Sequence, residues 1–302
     1  MKNLKFALSV SLLAALALFA GCGKNTTSDG VKVNYYIDEE KTDSVPDRNF
    51  YEAVSIESNS SEASIVWDCE TWSLQTANTT GRETVNVYFT KQTKPVTVDG
   101  IGFDTLQDAF NYCGTDSKKI YVTKDFDGAG NTAQGSDIVI ELGGFTIDGK
   151  GLDTIINNGK MAIYGEGTIT NSVDGEYSKT IVNYGELLLN GVKVSNSTNS
   201  VAIWNSDNGS SVLTLKDSEI SHSNSGVMTV VNSGTLEITS GSITGCGDSF
   251  HPTVYNNKSV SVLKLTGGSI ENSADGYAIY NESGAVEYGA ATFGESYNMP
   301  EA

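Results

Sequence analysis

One short phrase recurs six times between Thr154 and Asn281, and it limits the possible folds more than anything else in the chain. The copies are Thr-Ile-Ile-Asn157, Thr-Ile-Val-Asn183, Ala-Ile-Trp-Asn205, Thr-Val-Val-Asn232, Thr-Val-Tyr-Asn256 and Ala-Ile-Tyr-Asn281. Their asparagines stand 26, 22, 27, 24 and 25 residues apart. Self-similarity at such a period marks a solenoid, whose repeats bury their apolar faces only against one another. After each asparagine comes a Gly- or Ser-rich turn and then an alternating run: Met161/Ile163, Leu187/Leu189, Leu213/Leu215, Leu236/Ile238, Leu263/Leu265. A second turn precedes one more aliphatic residue (Ile169, Val194, Ile220, Ile243, Ile270), and a polar loop closes the unit. Apolar residues two apart share one face of a strand. The repeats lack the three-and-four spacing of a helix. The pattern predicts three short strands per unit, wound once around a triangular tube. Successive windings pair in parallel, roughly 4.8 Å apart.

The columns sort by face. Ile155, Ile181, Ile203, Val230, Val254 and Ile279 stand two residues before the asparagines. They are β-branched and are expected inside, where such side chains pack well on a pleated surface. The asparagines share that parity and fall at the inner edge of a bend. A buried amide needs partners, and stacked windings supply them. Asn157, Asn183, Asn205, Asn232, Asn256 and Asn281 are therefore read as a structural ladder, with simple tolerance of a tight turn as the competing explanation. Ile156, Val182, Trp204, Val231, Tyr255 and Tyr280 face the other way. With Thr180, Thr229 and Thr253 beside them they form an expected exterior strip of aromatics and hydroxyls. Such a strip suits sugar rings or a protein partner. An ordinary sheet exterior accounts for it too.

The coils Ala278-Ile-Tyr-Asn281, Gly241-Ser-Ile-Thr244 and Gly267-Gly-Ser-Ile-Glu-Asn272 resemble those of right-handed parallel β-helix proteins of the pectate-lyase-like superfamily. They are most similar to repeats of non-enzymatic, adhesin-like bacterial surface proteins of that class. The run Glu141-Leu-Gly-Gly-Phe-Thr-Ile-Asp-Gly149 looks like the entry coil of the same proteins. The resemblance spans about residues 96 to 290.

Residues 1–21 read as a targeting segment. Lys2 and Lys5 precede an apolar run from Phe6 to Ala20, which is short for a membrane span. The run ends in Leu18-Phe-Ala-Gly-Cys22, which resembles a bacterial lipoprotein signal. That resemblance implies cleavage before Cys22, lipid on Cys22, and a protein anchored to the membrane on its extracytoplasmic side. Removal of Lys2 and Lys5 takes the formal net charge from −18 to −20. So acidic a surface argues against nucleic acid as a partner. Cys69, Cys113 and Cys246 remain, and the sequence does not select a pair.

Residues 22–30 form a polar tether, and residues 31–94 a small β-rich module. Trp67-Asp68, Trp72 and Val85-Asn-Val-Tyr-Phe89 are similar to a small sandwich-like module of other bacterial surface proteins. Trp67 and Trp72 are its expected core anchors. Residues 96–291 are assigned to the β-helix. Its one helix is expected over Thr105–Tyr112, capped by Asp104 with Gln107 reaching back. It would lie as a lid over the first winding. Residues 292–302 are expected to be a frayed tail.

The superfamily hosts polysaccharide lyases and hydrolases, whose chemistry makes specific demands on the residues present. Lyases of this class use an Arg or Lys base beside calcium-binding carboxylates. Arg48 and Arg82 are the only arginines, and both precede the solenoid. Hydrolases need two acids held together on one strand face. No acidic column recurs at strand positions; Asp148-Gly, Asp174-Gly and Asp275-Gly read as turns first. Asp125-Phe-Asp-Gly-Ala-Gly-Asn131 looks faintly like a calcium loop, but Ser136 stands where the bidentate Glu belongs. His222 and His251 have no nucleophile and acid at recognisable spacing.

The sequence therefore describes an all-β, right-handed parallel β-helix with an N-terminal capping helix, preceded by a small β-sandwich-like module. No catalytic residue, metal or cofactor is assigned. The expected activity is adhesion, or binding of a glycan or a host or cell-surface protein, through Trp204, Tyr255, Tyr280 and Thr253. A polysaccharide lyase or glycoside hydrolase is the alternative, from kinship alone, and a passive surface spacer is the third reading.

Overall fold

A period of two in the aliphatic residues, broken every few positions by Gly, Ser or Asn, can only make short strands with turns between them. The computed structural model shows the result. It describes residues 31–299, apart from 59–62, 69–70, 77–82, 174–175, 207–209 and 249. The leader, Cys22, the tether, Cys69, Arg82 and the Asp174-Gly turn lie outside the described residues. The chain divides into two units: one takes the residues up to 93 with 99–102, the other 94–98 and everything from 103 on.

The second unit is a parallel β-solenoid with three faces. Its first face includes Asp137–Glu141, Lys160–Tyr164, Glu186–Asn190 and Val212–Lys216, joined in parallel and continued to Ala285–Tyr288. The second face is an eight-stranded sheet running from Phe126–Asp127 to Thr292–Phe293. The third, also eight-stranded, runs from Gly130–Asn131 through Ile155–Asn157 to Ser296–Tyr297. Register keeps like over like: Ile155 pairs with Ile181, Ile181 with Ile203, Ile203 with Val230 and Val254 with Ile279.

These inward columns make the core. Ile155, Ile181, Ile203, Val230, Val254 and Ile279 are all 0% exposed, and Ile169, Val194, Ile220, Ile243 and Ile270 are buried beside them. Each such side chain contributes about 1.5–3 kcal/mol on burial. The stacking repeats that gain at every rung.

One helix, α1 (Leu106–Cys113), closes the N-terminal end, with Leu106, Ala109, Phe110 and Cys113 buried. Its cap is Thr105, not the expected Asp104. Thr105 Oγ1 accepts from Asp108 N at 3.0 Å and donates to the Asp108 carboxylate at 2.7 Å. Asp104 is instead drawn to Lys94, 2.7 Å away. Gln107 does not reach back to the cap. Its side-chain amide accepts from Asn131 N at 2.9 Å and donates to Asn131 O at 3.1 Å. These are the two bonds a neighbouring strand would make. The lid thus pairs the edge of the first third-face strand as well as covering the lumen.

The tail expected to fray from residue 292 carries two further strands. Thr292–Phe293 pairs with Ser269 and Ile270, and Ser296–Tyr297 with Ile279 and Tyr280. Ser296-Tyr-Asn298 keeps the Tyr-Asn of the repeated phrase, with Ser296 at the inward position. It lies 17 residues after Asn281, a step shorter than all the others.

In the first unit, Val31–Ile37 pairs in parallel with Glu83–Lys91 and antiparallel with Glu40–Thr42. Tyr51–Ser58 adds antiparallel to Glu83–Lys91. Val87 and Phe89 are buried, and Tyr36 stacks on Tyr88 at 4.9 Å. Ala63–Asp68 and Thr71–Thr76 form a separate hairpin with Trp67 opposite Trp72 in register. The side chains of both tryptophans lie outside the described residues.

Candidate functional site

Two polar ladders fix the corners that position the exterior. In the first, the side-chain Nδ2 of each asparagine donates to the next asparagine's Oδ1. The steps from Asn157 to Asn183, Asn205, Asn232, Asn256 and Asn281 measure 2.8, 2.8, 2.8, 2.7 and 2.8 Å. Backbone carbonyls take the rest: Asn183 also donates to Gly185 O and Val212 O. Asn157 through Asn256 are 0% exposed. A row of satisfied buried amides holds the bend of every coil in one conformation.

The second ladder follows the second face and includes a histidine. Asn171 pairs with Asn196, and Asn196 with His222. Asn196 Oδ1 accepts from the amide two residues on, and its Nδ2 donates to Ser178 O in the preceding loop. His222 makes the same pair of contacts. Its Nδ1 accepts from Asn224 N at 2.9 Å, and Nε2 lies 2.7 Å from Ser200 O. A carbonyl can only accept, so Nε2 carries the proton and the ring is neutral. Burial holds its pKa below the ordinary 6.5, and a proton on Nδ1 would face the Asn224 N–H. Stability is therefore expected to fall as pH drops through 6.5, where the unfolded chain takes up a proton that the folded chain refuses. The slope from this one group is at most about 1.4 kcal/mol per pH unit. His222→Asn restores the amide column and should remove that part of the pH dependence. Denaturation midpoints of both proteins at pH values on either side of 6.5 measure it. An unchanged slope in the variant would contradict the assignment.

The third face carries an outward column that is half-buried for the most part and exposed at Tyr297. Ile156, Val182, Trp204, Val231, Tyr255, Tyr280 and Tyr297 follow one another in register. Val182, flanked by Ile156 and Trp204, is buried at 2% exposure. The aromatics fall into two groups. Trp204 meets Tyr184 edge-on at 6.2 Å, and the Lys179 ammonium sits 5.2 Å from its ring centre. Val231 separates it from Tyr255, so the groups stand two rungs apart, roughly 10 Å. Beyond lie four tyrosines. Tyr255 meets Tyr280 at 5.7 Å, and Tyr280 stacks on Tyr297 at 4.6 Å, with Tyr277 tilted against both. Tyr255 Oη donates to Glu282 at 2.8 Å; burial and that carboxylate push its pKa up to about 12, so the phenol stays protonated.

Thr253 does not belong to this surface. It is 1% exposed, and Thr154, Thr180 and Thr229 are 0% exposed. Each stands one residue before its strand begins, at the corner, where strict alternation has not yet started. Its hydroxyl turns inward to a carbonyl of the next winding: Thr253 to Glu271 O at 2.9 Å, Thr180 to Ser195 O at 2.7 Å. The site therefore loses Thr253. It gains Tyr277, Tyr297, Lys179 and Glu282, which the sequence reading passed over.

Asp148 and Asp125 have structural partners, and Asp248 pairs with His251 Nδ1 at 2.7 Å. Burial alone would raise the Asp148 carboxyl, but hydrogen bonds from Lys150 and Ser172 outweigh it and hold it below the usual carboxylate range. Asp125 accepts from Thr146 N, and Phe126–Asp127 and Gly130–Asn131 are the first rungs of the second and third faces. The faint calcium-loop pattern thus spans the first rungs of two faces. A depression of about 190 Å³ on the second face is lined by hydroxyls, among them Thr170, Ser195 and Ser221. Among the described residues no cluster of three or more His, Cys, Asp or Glu could hold a metal ion. None of their helices is long and apolar enough to cross a membrane.

The fold and the exposed face define a parallel β-solenoid carrying an aromatic strip. Comparison with models of protein families, with curated proteins and with solved structures finds no match.

Proposed function

We propose that this protein is a lipid-anchored, extracytoplasmic β-helix of the pectate-lyase-like type. It binds a glycan or a cell-surface protein without catalysis. The observation that carries the reading is the in-register column of Trp204, Tyr255 and Tyr280 on the outer third face. A rigid ladder behind the column fixes the spacing of its rings, so a ligand would pay little ordering cost on the protein side. Aromatic rings with protonated phenol edges offer both apolar contact and hydrogen bonds. The Leu18–Cys22 signal supports attachment through lipid on Cys22, and the polar tether would let the solenoid stand away from the bilayer.

One set of experiments tests both halves. Cell fractionation should place the protein with membranes and the Cys22→Ser variant in the soluble fraction. The purified full chain, screened in detergent against glycans and surface proteins, should bind a ligand that Trp204→Ala with Tyr280→Ala releases at least about tenfold more readily. Turnover of a polysaccharide, abolished by a single carboxylate substitution, would overturn the non-catalytic reading.

A further inference from the structure

We propose that the four-tyrosine cluster at the C-terminal end of the third face binds a cationic segment, rich in lysine or arginine, of a partner protein. This rests on the reading of the third face as a binding face, and it names the chemistry of the partner. The two aromatic groups of the column differ in one respect. Trp204 has a cation beside it: the chain's own Lys179 places its ammonium 5.2 Å from the ring centre. The column thus shows within one molecule which charge its rings accept, as the negative ring face requires.

The second group has the same aromatic character, with a carboxylate in place of the ammonium. From residue 265 to residue 302 the chain contains Glu271, Asp275, Glu282, Glu287, Glu295 and Glu301, and no lysine, arginine or histidine; Lys258 and Lys264 stand just before it, Lys264 in register beside Glu287. Glu271, Asp275, Glu282, Glu287 and Glu295 are exposed, Glu271 on the second face and Glu287 on the first. Glu282 stands at the cluster itself, bonded to Tyr255 Oη at 2.8 Å. Tyr297 is 47% exposed, while its neighbour Tyr280 is half-buried.

Ring geometry favours a cation over a sugar. A sugar ring stacks on a broad free aromatic face. Here Tyr280 gives one face to Tyr297, with planes 13° apart, and meets Tyr255 edge-on at 64°. Tyr277 closes on both at 6.3 and 5.9 Å. What remains is a set of tilted rings, the outermost half exposed, with the Glu282 carboxylate bonded to one of them. That arrangement holds an ammonium or guanidinium group from several sides. The net charge of −18 would also steer a basic partner to the protein.

The test is calorimetric titration of the full chain in detergent, at physiological salt, with a peptide of alternating lysine and glycine. Its analogue carries norleucine in place of lysine: the same shape without the charge. The lysine peptide should bind and the norleucine peptide should not. Tyr297→Leu, and Tyr280→Leu with Tyr297→Leu, keep apolar bulk but remove the rings. Each ring lost should weaken binding about two- to fivefold. Glu282→Gln should also weaken it, whereas Glu237→Gln on the first face should leave it unchanged. Equal affinity in the tyrosine variants would mean attraction by net charge alone and would overturn the proposal. The same variants screened against neutral glycans separate the two readings. Glycan binding lost with the tyrosines, and no dependence of peptide binding on them, removes the cationic partner and keeps the binding face. If neither ligand depends on the rings, both readings fall.

Discussion

Asn232→Ala is expected to cost the solenoid about 3 kcal/mol or more, although the residue touches no solvent and no candidate ligand. The Asn232 amide donates to Asn256 Oδ1 at 2.7 Å, Val262 O at 3.0 Å and Gly234 O at 3.1 Å, and it accepts from Asn205 Nδ2 at 2.8 Å. Truncation leaves one Asn205 hydrogen and the Asn256 oxygen buried without their partners. Each such group costs about 1–3 kcal/mol. Asn232→Asp keeps the size but removes the donor, so it sets a carboxylate against Asn256 Oδ1 and Val262 O. It is expected to cost more than alanine, and to recover in part when acid protonates the new carboxyl. Denaturant unfolding should show both losses. Hydrogen exchange should speed up in the coils on either side of Asn232 and less in distant ones, because a solenoid's couplings are to nearest neighbours. If alanine changed stability by less than about 0.5 kcal/mol, the ladder would be a turn preference and not a structural element.

The contrast with the exterior explains what could be read from the sequence. The inward columns could be, because burial on a pleated face forces a period of two and β-branched residues at a fixed step before each asparagine. Ile203 and Ile279, both 0% exposed, needed no further information. Strict alternation failed at the corners. Thr180 and Thr253 share the parity of the outward residues, yet the backbone bends before the strand starts, and a hydroxyl is more useful there to a neighbouring carbonyl. The cap was missed by one residue for a similar reason: Asp104 and Thr105 are both good caps, and Lys94 draws Asp104 away. Tyr297 was missed because its coil is short, although the Tyr297-Asn298 pair repeats Tyr280-Asn281. His222 was hidden by chemistry. An imidazole with one donor and one acceptor nitrogen stands in for an amide, and residue type alone does not show that. The tyrosine cluster depends on rung-to-rung register, which only the stacking sets.

Phe110→Ala is expected to open the solenoid from its N-terminal end, at a cost of about 3–5 kcal/mol. Phe110 is 1% exposed and lies so close to the first winding that a Cβ on Gly130 would stand 2.7 Å from its ring. No larger residue at 130 leaves room for it, which is the physical reason for glycine there. Losing the ring removes the packing that holds α1 down, and with it the two bonds between Gln107 and Asn131. The first third-face strand then becomes a bare edge over Ile155, with unpaired backbone groups able to recruit another chain. Two separate observables should follow. Exchange protection should fall first in the windings near Gly130 and Ile155 while the coils around Val254 stay protected, since loss at one end of a solenoid propagates rung by rung. The variant should also self-associate on mild heating, where the wild type stays dispersed. Gln107→Ala separates the two roles of the helix: the lumen stays covered by Phe110 and only the strand-like bonds are lost. It should associate more readily while losing only about 1–2 kcal/mol. If Phe110→Ala unfolded at the wild-type midpoint with uniform exchange, α1 would be an appendage and not the element that ends the sheet.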